Sequence, residues 1–433
     1  MSAVDPLPIA PVAGPLDASV RVPGSKSVTN RALVCAALAE GTSVLEGALF
    51  ADDTEAMAGV LAGLGIEVRA DPAAARLEVV GCGGAVPPSD AVLDVRQSGT
   101  TSRFTAALLA AGEGTYRVDA HPQMRARPMD ATFEALAQLG ATVAADAPGH
   151  LPARITAPAG AVGHRVTVPG DASSQFLSGL LLVGPCLPGG LRLEVTTPLV
   201  SQPYVALTLD VMAAFGAEVE RPDDATFVVA PTGYRARTHA IEPDASAASY
   251  PLAAAAICGG RVTVEGLGAD ARQGDAGFAD LLAAMGATVE RTASSTTVTA
   301  ERGTLVGGRF DLTHLSDTAQ TLAVVAPFAS TPVAIEGIGF IRRKEIDRLT
   351  AVATELARCG VDVRLDDDGW TISPSSPRGA LVETYEDHRM AMSFALLGLV
   401  VDGISIAGPD CVAKTFPGYW DLLAGLRPGG GGR

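Results

Sequence analysis

Apolar and polar positions along the chain fall into a pattern that returns six times. A short polar cluster opens an Ala/Leu-rich run, a Gly-containing turn follows, and a strand-like stretch closes the unit. It reads SVTNRALVCAALAEGTSVLEG from Ser27, SGTTSRFTAALLAAGEGTYRVDA from Ser98 and SSQFLSGLLLVGPCLPGGLRLEV from Ser173. It returns as SAASYPLAAAAICGGRVTVEG from Ser246, DTAQTLAVVAPFASTPVAIEG from Asp317 and DHRMAMSFALLGLVVDGISIAG from Asp387. The starts lie about 70–75 residues apart, beyond the periods of solenoid repeats. Between them sits a second pattern: an amphipathic helix that ends in Gly, then a short alternating strand. LAGLGIEVR, LAQLGATVAA, MAAFGAEVE, LLAAMGATVE and LARCGVDVR carry it. Gly65, Gly140, Gly216, Gly286 and Gly360 are therefore expected to take the left-handed position just past each helix. The sixth unit lacks this second half.

Six units of two helices with interleaved strands predict an α/β protein of two domains, three units each. The chain crosses over at RVPGSKS near the start and at HAIEPDASAAS around Ile241, both with Pro and a small-residue turn. Residues 25–241 are then one inserted domain, and residues 1–24 with 242–433 the other. A tail of four glycines near Gly429 reads as disordered by composition.

Composition narrows the partners. A chain of 433 residues is too long for one ordinary core. A net charge of −16 argues against nucleic acid, which needs a basic surface. It leaves room for a small anion in a locally basic site. The opening MSAVDPLPIAPVAGP lacks the basic and apolar regions of a signal peptide. The longest apolar runs are broken by Gly and Pro and are too short to span a bilayer. The six scattered cysteines, without a CxxC pair, read as reduced thiols of a cytoplasmic protein.

Chemistry enters through the helix starts. Each Ala-rich run opens on Ser, Thr, Asp or Asn, which cap helices. Helix N-termini also bind phosphate and carboxylate. Taken singly, each start is only a cap. Some carry cations: GSKSVTNR has Lys26 and Arg31, and SGTTSR has Arg103. IRRKEIDR has Arg342, Arg343, Lys344 and Arg348, DHR has His388 and Arg389, and AKTF has Lys414. A cation there opposes the helix dipole, so anion binding explains it better than stability does. A solvated charged face accounts for IRRKEIDR alone. It does not account for GSKSVTNR, which runs straight into ALVCAALA. Asp317 and Glu345 place carboxylates beside these cations, as a general base or proton shuttle requires; a cap and a helix-face ion pair are the plainer readings. P-loop, GxSxG and HExxH motifs are absent, and the histidines are dispersed, so no metal site is expected.

PGSKSVTNRALVCAALAEG, SGTTSRF, DASSQFLSGLL, LVSQPY, RRKEIDRL, YEDHRMAMSFAL and CVAKTFPGYW resemble the EPSP synthase family of enolpyruvyl transferases, in the family's order from Pro23 to Trp420. The resemblance implies a two-domain enolpyruvyl transferase fold of threefold repeated βαβαββ units, with the active site in the interdomain cleft. It implies transfer of enolpyruvyl from phosphoenolpyruvate to the 5-hydroxyl of shikimate 3-phosphate, in aromatic amino-acid and chorismate biosynthesis. It implies no cofactor, no metal, no nucleic-acid or membrane partner, and a monomer. Ser27, Arg31, Ser173, Ser174, Ser201, Tyr204, Asp317 and Lys344 would hold shikimate 3-phosphate. Lys26, Gly99, Gln175, Arg348, Arg389 and Lys414 would hold phosphoenolpyruvate, with Arg125. Lys26, Asp317, Glu345 and His388 would be catalytic.

The chain departs from the family's usual residues at Gln97, Gln123, Phe340 and Ile346. Arg125 or Arg127 would supply the charge absent at Gln123. Retention of Gly99 implies a glyphosate target, with Gln97 and Gln123 leaving its sensitivity open. Three other readings stand beside this one. They are transfer to UDP-N-acetylglucosamine, transfer to a specialised relative of shikimate, and anion binding without catalysis. The first expects a Lys-Asn pair instead of Lys26–Ser27, and a Cys in the EGTYRVDAHPQMRARP loop, which has none.

Overall fold

The structure is a computed structural model and describes residues 4–157, 164–171 and 173–427. The glycine tail lies outside the described residues. The chain forms two compact units, Gly24–Glu242 and Met1–Pro23 with Pro243–Arg433.

Each unit is built on three inner helices in mutual contact. In Gly24–Glu242 these are Lys26–Leu38, Gly99–Leu108 and Ser174–Val183. In the other unit they are Ala245–Cys258, Ala319–Val325 and His388–Gly398. Every residue of Ala245–Cys258 and His388–Gly398 is buried. A helix buried all round has no polar stripe to show. Ala, Gly and Ser suit such positions, because small side chains let three backbones approach. Polar groups inside find each other: Ser249, Thr321 and Ser393, one from each helix, join through hydroxyl contacts of 3.1 and 3.4 Å.

The outer helices are amphipathic. Arg348–Arg358 buries Arg348, Leu349, Ala351, Val352, Glu355 and Leu356, the one-sided spacing of a half-buried helix. Gly65, Gly140, Gly216, Gly286 and Gly360 all have φ between 78° and 105°, the left-handed turn that ends each outer helix.

The sheets repeat one plan. A parallel pair is extended by antiparallel strands. Thr42–Glu46 pairs parallel with Thr238–Ala240 and antiparallel with Arg76–Val80, which Glu67–Asp71 extends. Gly260–Glu265 pairs in the same way with Leu16–Val20, Ser295–Ala300 and Thr288–Arg291. Among the described residues five sheets have this four-stranded order. The sixth does not simply stop short. Ser405–Ile406 pairs parallel with Leu381–Val382 and antiparallel with Leu7–Pro8, so the beginning of the chain supplies a strand to the last repeat.

No helix among the described residues is long and apolar enough to cross a membrane.

Candidate active site

In the unit Gly24–Glu242, the chemistry gathers at the helix starts. Ser25, Ser98 and Ser173 cap the three inner helices, accepting from the N–H groups of Val28, Thr101 and Gln175 at 3.3, 3.1 and 3.2 Å. Gly24 must be glycine, since a Cβ there would sit 1.9 Å from the Gly47 carbonyl oxygen. Lys26, the first residue of its helix, directs Nζ to Asp53 Oδ2 at 3.2 Å. Asp53 lies in the first turn of the helix Asp52–Gly63, where a carboxylate complements the dipole. Its own carbonyl accepts from Thr101 Oγ1 at 3.1 Å, tying a second helix start to the pair.

Two guanidinium groups crowd Gly99. A Cβ at Gly99 would lie 2.6 Å from Arg127 Nη1 and 2.8 Å from Arg103 Nη1. Arg103 is also held by the carbonyls of Gly99 and Pro128, at 3.2 and 2.7 Å. Both arginines are buried. Two buried cations at a positive helix end repel each other, and an anion resting there relieves the repulsion. Arg125, in contrast, is 44% exposed and ion-paired with Asp119 at 2.8 Å. Of the two arginines that the loop offers, the structure therefore brings Arg127 to Gly99.

The remaining residues of this unit are held in different ways. Gln175 Nε2 donates to Thr100 Oγ1 at 3.2 Å, linking two helix starts, and Ser174 beside it is buried. Ser201 is buried in the left-handed region, with φ 53°, at the start of Gln202–Ala214. Arg31 is buried, and burial pulls its pKa down to about 10. It donates to Thr208 Oγ1 (2.7 Å), the Ser27 carbonyl (2.9 Å), the Tyr204 carbonyl (3.1 Å) and Ser178 Oγ (3.4 Å). Its guanidinium thus fixes Ser27 and Tyr204 from beneath. Gln97 and His121 meet at 3.3 Å on the surface.

The other unit places its cations around carboxylates. Asp317 sits in the short turn Ser316–Thr318, and Thr318, not Asp317, holds the cap position of Ala319–Val325. Its carboxylate meets Arg389 Nη2 at 2.8 Å, Arg348 Nη1 at 3.5 Å and Lys344 Nζ at 4.0 Å. Arg348 is buried and also contacts Glu345 (2.8 Å) and Asp387 (2.7 Å). Burial alone would lower its pKa, but Asp387, Glu345 and Asp317 together hold it above the ordinary value. Asp387 caps the sixth inner helix by accepting from Arg389 N–H at 2.8 Å. His388 is buried, with Nδ1 3.6 Å from Asp387 Oδ1, and Lys414 is buried at the end of Pro409–Lys414.

Two of the residues that depart from the resemblance, Phe340 and Ile346, have local partners. Phe340 lies under Lys344, with Nζ 5.8 Å from the ring centroid, a cation–π contact that orients the lysine. Ile346 packs against the core. Sequence reasoning passed over Asp53, Asp387 and the choice of Arg127. Asp53 carried no signal beyond an acidic first turn; Asp387 was legible beside Arg389. Among the described residues no cluster of three or more His, Cys, Asp or Glu side chains is placed to hold a metal ion.

Residues 12–423 match the family model of EPSP synthase, 3-phosphoshikimate 1-carboxyvinyltransferase. The chain is 44% identical over 419 residues to the 3-phosphoshikimate 1-carboxyvinyltransferase of Nostoc punctiforme, covering 96% of this chain and 98% of that one. It is 41% identical over 427 residues to that of Erwinia tasmaniensis, covering 98% and 99%. The solved EPSP synthase of Acinetobacter baumannii superposes with a TM-score of 0.83 at 26% identity, covering 98% of both chains. The enolpyruvyl transferase NikO of Streptomyces tendae, at 21% identity and a TM-score of 0.77, shares the fold. With a family match over most of its length and relatives above 40% identity, the chain belongs to the EPSP synthase family of enolpyruvyl transferases.

Proposed function

We infer that this protein transfers the enolpyruvyl group of phosphoenolpyruvate to the 5-hydroxyl of shikimate 3-phosphate and releases phosphate. Family membership supports the reaction. The single structural observation that carries it is the cluster of Lys344, Arg348 and Arg389 on Asp317, where cations that bind anions share a carboxylate able to move a proton.

The reaction is an addition followed by an elimination. The 5-hydroxyl loses its proton and attacks C2 of phosphoenolpyruvate while C3 gains a proton. The tetrahedral adduct then loses a proton from C3 as the C–O bond to phosphate breaks. Asp317, Glu345 and Lys26 are the groups of this chain that accept and return those protons. Ser27, Ser173, Ser174, Ser201, Tyr204, Asp317 and Lys344 hold shikimate 3-phosphate, with Arg31 setting Ser27 and Tyr204. Lys26, Gly99, Arg127, Gln175, Arg348, Arg389 and Lys414 hold phosphoenolpyruvate. Both substrates are polyanions, and excluding water strengthens each contact to them. The protein acts as a cytoplasmic monomer without a cofactor in this reading.

A coupled phosphate-release assay tests it. Phosphate should appear with phosphoenolpyruvate plus shikimate 3-phosphate, and not when UDP-N-acetylglucosamine replaces the latter. Release with the nucleotide sugar alone, or with neither acceptor, overturns the assignment.

A further inference from the structure

Asp387 and Arg389 open the helix His388–Gly398, and the chain enters that helix through irregular backbone. Tyr385 and Glu386 have φ of 53° and 58°. Residues with a Cβ visit this left-handed region singly and at a cost, so two in succession need a hold from outside.

The helix Arg348–Arg358 provides that hold along one face. Arg358 Nη1 donates to the Leu381 carbonyl at 3.1 Å. Glu355, fully buried, accepts from Glu383 N–H at 3.1 Å and from the Tyr385 hydroxyl at 2.7 Å. Arg348 Nε donates to Asp387 Oδ2 at 2.7 Å. Positions 348 and 355 are two helical turns apart and so point the same way. Thr384 Oγ1 donates to the Ala407 carbonyl, and within the segment Asp387 N–H donates to the Thr384 carbonyl, both at 2.8 Å. A buried carboxylate is costly unless it is well bonded. Its cation partner, Arg358, is 3.4 Å away and 41% exposed. Two of its bonds instead go to the strained segment.

We propose that Glu355 and Tyr385 are positioning residues, which together hold the left-handed pair Tyr385–Glu386 and thereby set the places of Arg348 and Arg389. Neither acts on substrate directly. The inference rests on the assignment of those two arginines to phosphoenolpyruvate.

A clamp that only stabilised the fold would lower the unfolding temperature and leave the folded enzyme's constants alone. A positioning clamp changes one substrate selectively. Tyr385→Phe and Glu355→Gln, made in the full chain, are assayed by phosphate release with each substrate varied in turn. The expected result is a rise of about tenfold in KM for phosphoenolpyruvate, the effect of a sub-ångström misplacement. Binding of shikimate 3-phosphate alone, by calorimetry, should stay within about twofold. Should Glu355→Gln fail to fold, Tyr385→Phe decides, since it deletes one oxygen from a side chain of a 40% exposed residue. An unchanged KM for phosphoenolpyruvate in Tyr385→Phe, or an equal rise for both substrates, overturns the inference. A wild type that releases no phosphate overturns the reaction and this inference together; an active wild type with unaffected variants overturns the inference alone.

Discussion

Arg389 donates to Asp317 at 2.8 Å across 72 residues of sequence, so the start of the sixth inner helix is bonded to the start of the fifth. The repeat makes this possible, because equivalent helix starts meet at one end of the three-helix core. Asp317→Asn preserves the shape and removes the charge shared by Arg389, Arg348 and Lys344. kcat should fall about 10²–10⁴-fold, the usual worth of a positioned acid or base. The loss of a common counter-charge should destabilise the fold by about 1–3 kcal/mol. Steady-state kinetics and urea unfolding measure the two effects; a kcat within about tenfold of wild type would remove Asp317 from the proton path.

Lys26 and Asp53 form a pair in which the lysine opposes its helix dipole and the aspartate complements its own. Lys26→Met should reduce turnover by more than about 10³-fold, since binding and proton transfer are lost together. It should still unfold cooperatively. A double-mutant cycle with Asp53→Asn should give a coupling of about 1–3 kcal/mol in stability. Near-normal activity in Lys26→Met would show that the site is wrongly assigned.

Arg125 and Arg127 are two positions apart and predict opposite outcomes. Arg125→Ala breaks an exposed pair and should cost less than about 1 kcal/mol in stability, with unchanged kinetics. Arg127→Ala should raise KM for phosphoenolpyruvate about 10–100-fold, as expected for a lost charge-assisted bond. Gly99→Ala should move the same constant in the same direction, by pushing both guanidinium groups off the helix start. If Arg125→Ala is the damaging change, the placement of Arg127 is functionally irrelevant.

Tyr385 gives the clamp a pH signature. Burial first, and then its bond to Glu355, push the hydroxyl up to about 12 from an ordinary value of 10.0. The folded state therefore binds this proton more tightly than the unfolded chain does. The bond's contribution is complete below pH 10 and is lost as pH rises from 10 to about 12. The difference in unfolding temperature between wild type and Tyr385→Phe should be constant from neutral pH to about pH 10 and shrink above it. A difference that grows above pH 10 would contradict the direction of the bond.

Much of the architecture was legible because each signal had one physical cause. Uninterrupted runs of small residues marked helices buried all round, and single glycines marked the ends of the outer helices. Cations at helix starts marked the candidate site, because they oppose the dipole. The choice between Arg125 and Arg127 was not legible. The short helix Pro122–Arg125 turns the first toward Asp119, and nothing in the sequence encodes that direction. Arg31 read as an anion ligand. On a helix with no outer face, sequence cannot tell a guanidinium that meets solvent from one consumed by Thr208 and two carbonyls. The Leu7–Pro8 strand escaped notice because two residues beside Pro6 have no alternation to detect.

That small strand orders events during synthesis. Leu7–Pro8 and Leu16–Val20 are made first, yet their partners lie at Ser405–Ile406 and Gly260–Glu265. All partners within Gly24–Glu242 are complete when about half of the chain has emerged. The inserted unit can therefore close while the ribosome is still translating. Leu16–Val20 must meanwhile wait, unpaired, for Gly260–Glu265, and Leu7–Pro8 for almost the whole message to be read. A nascent chain halted at residue 300 should hold a protease-resistant Gly24–Glu242 and a Leu7–Pro8 segment still open to cleavage.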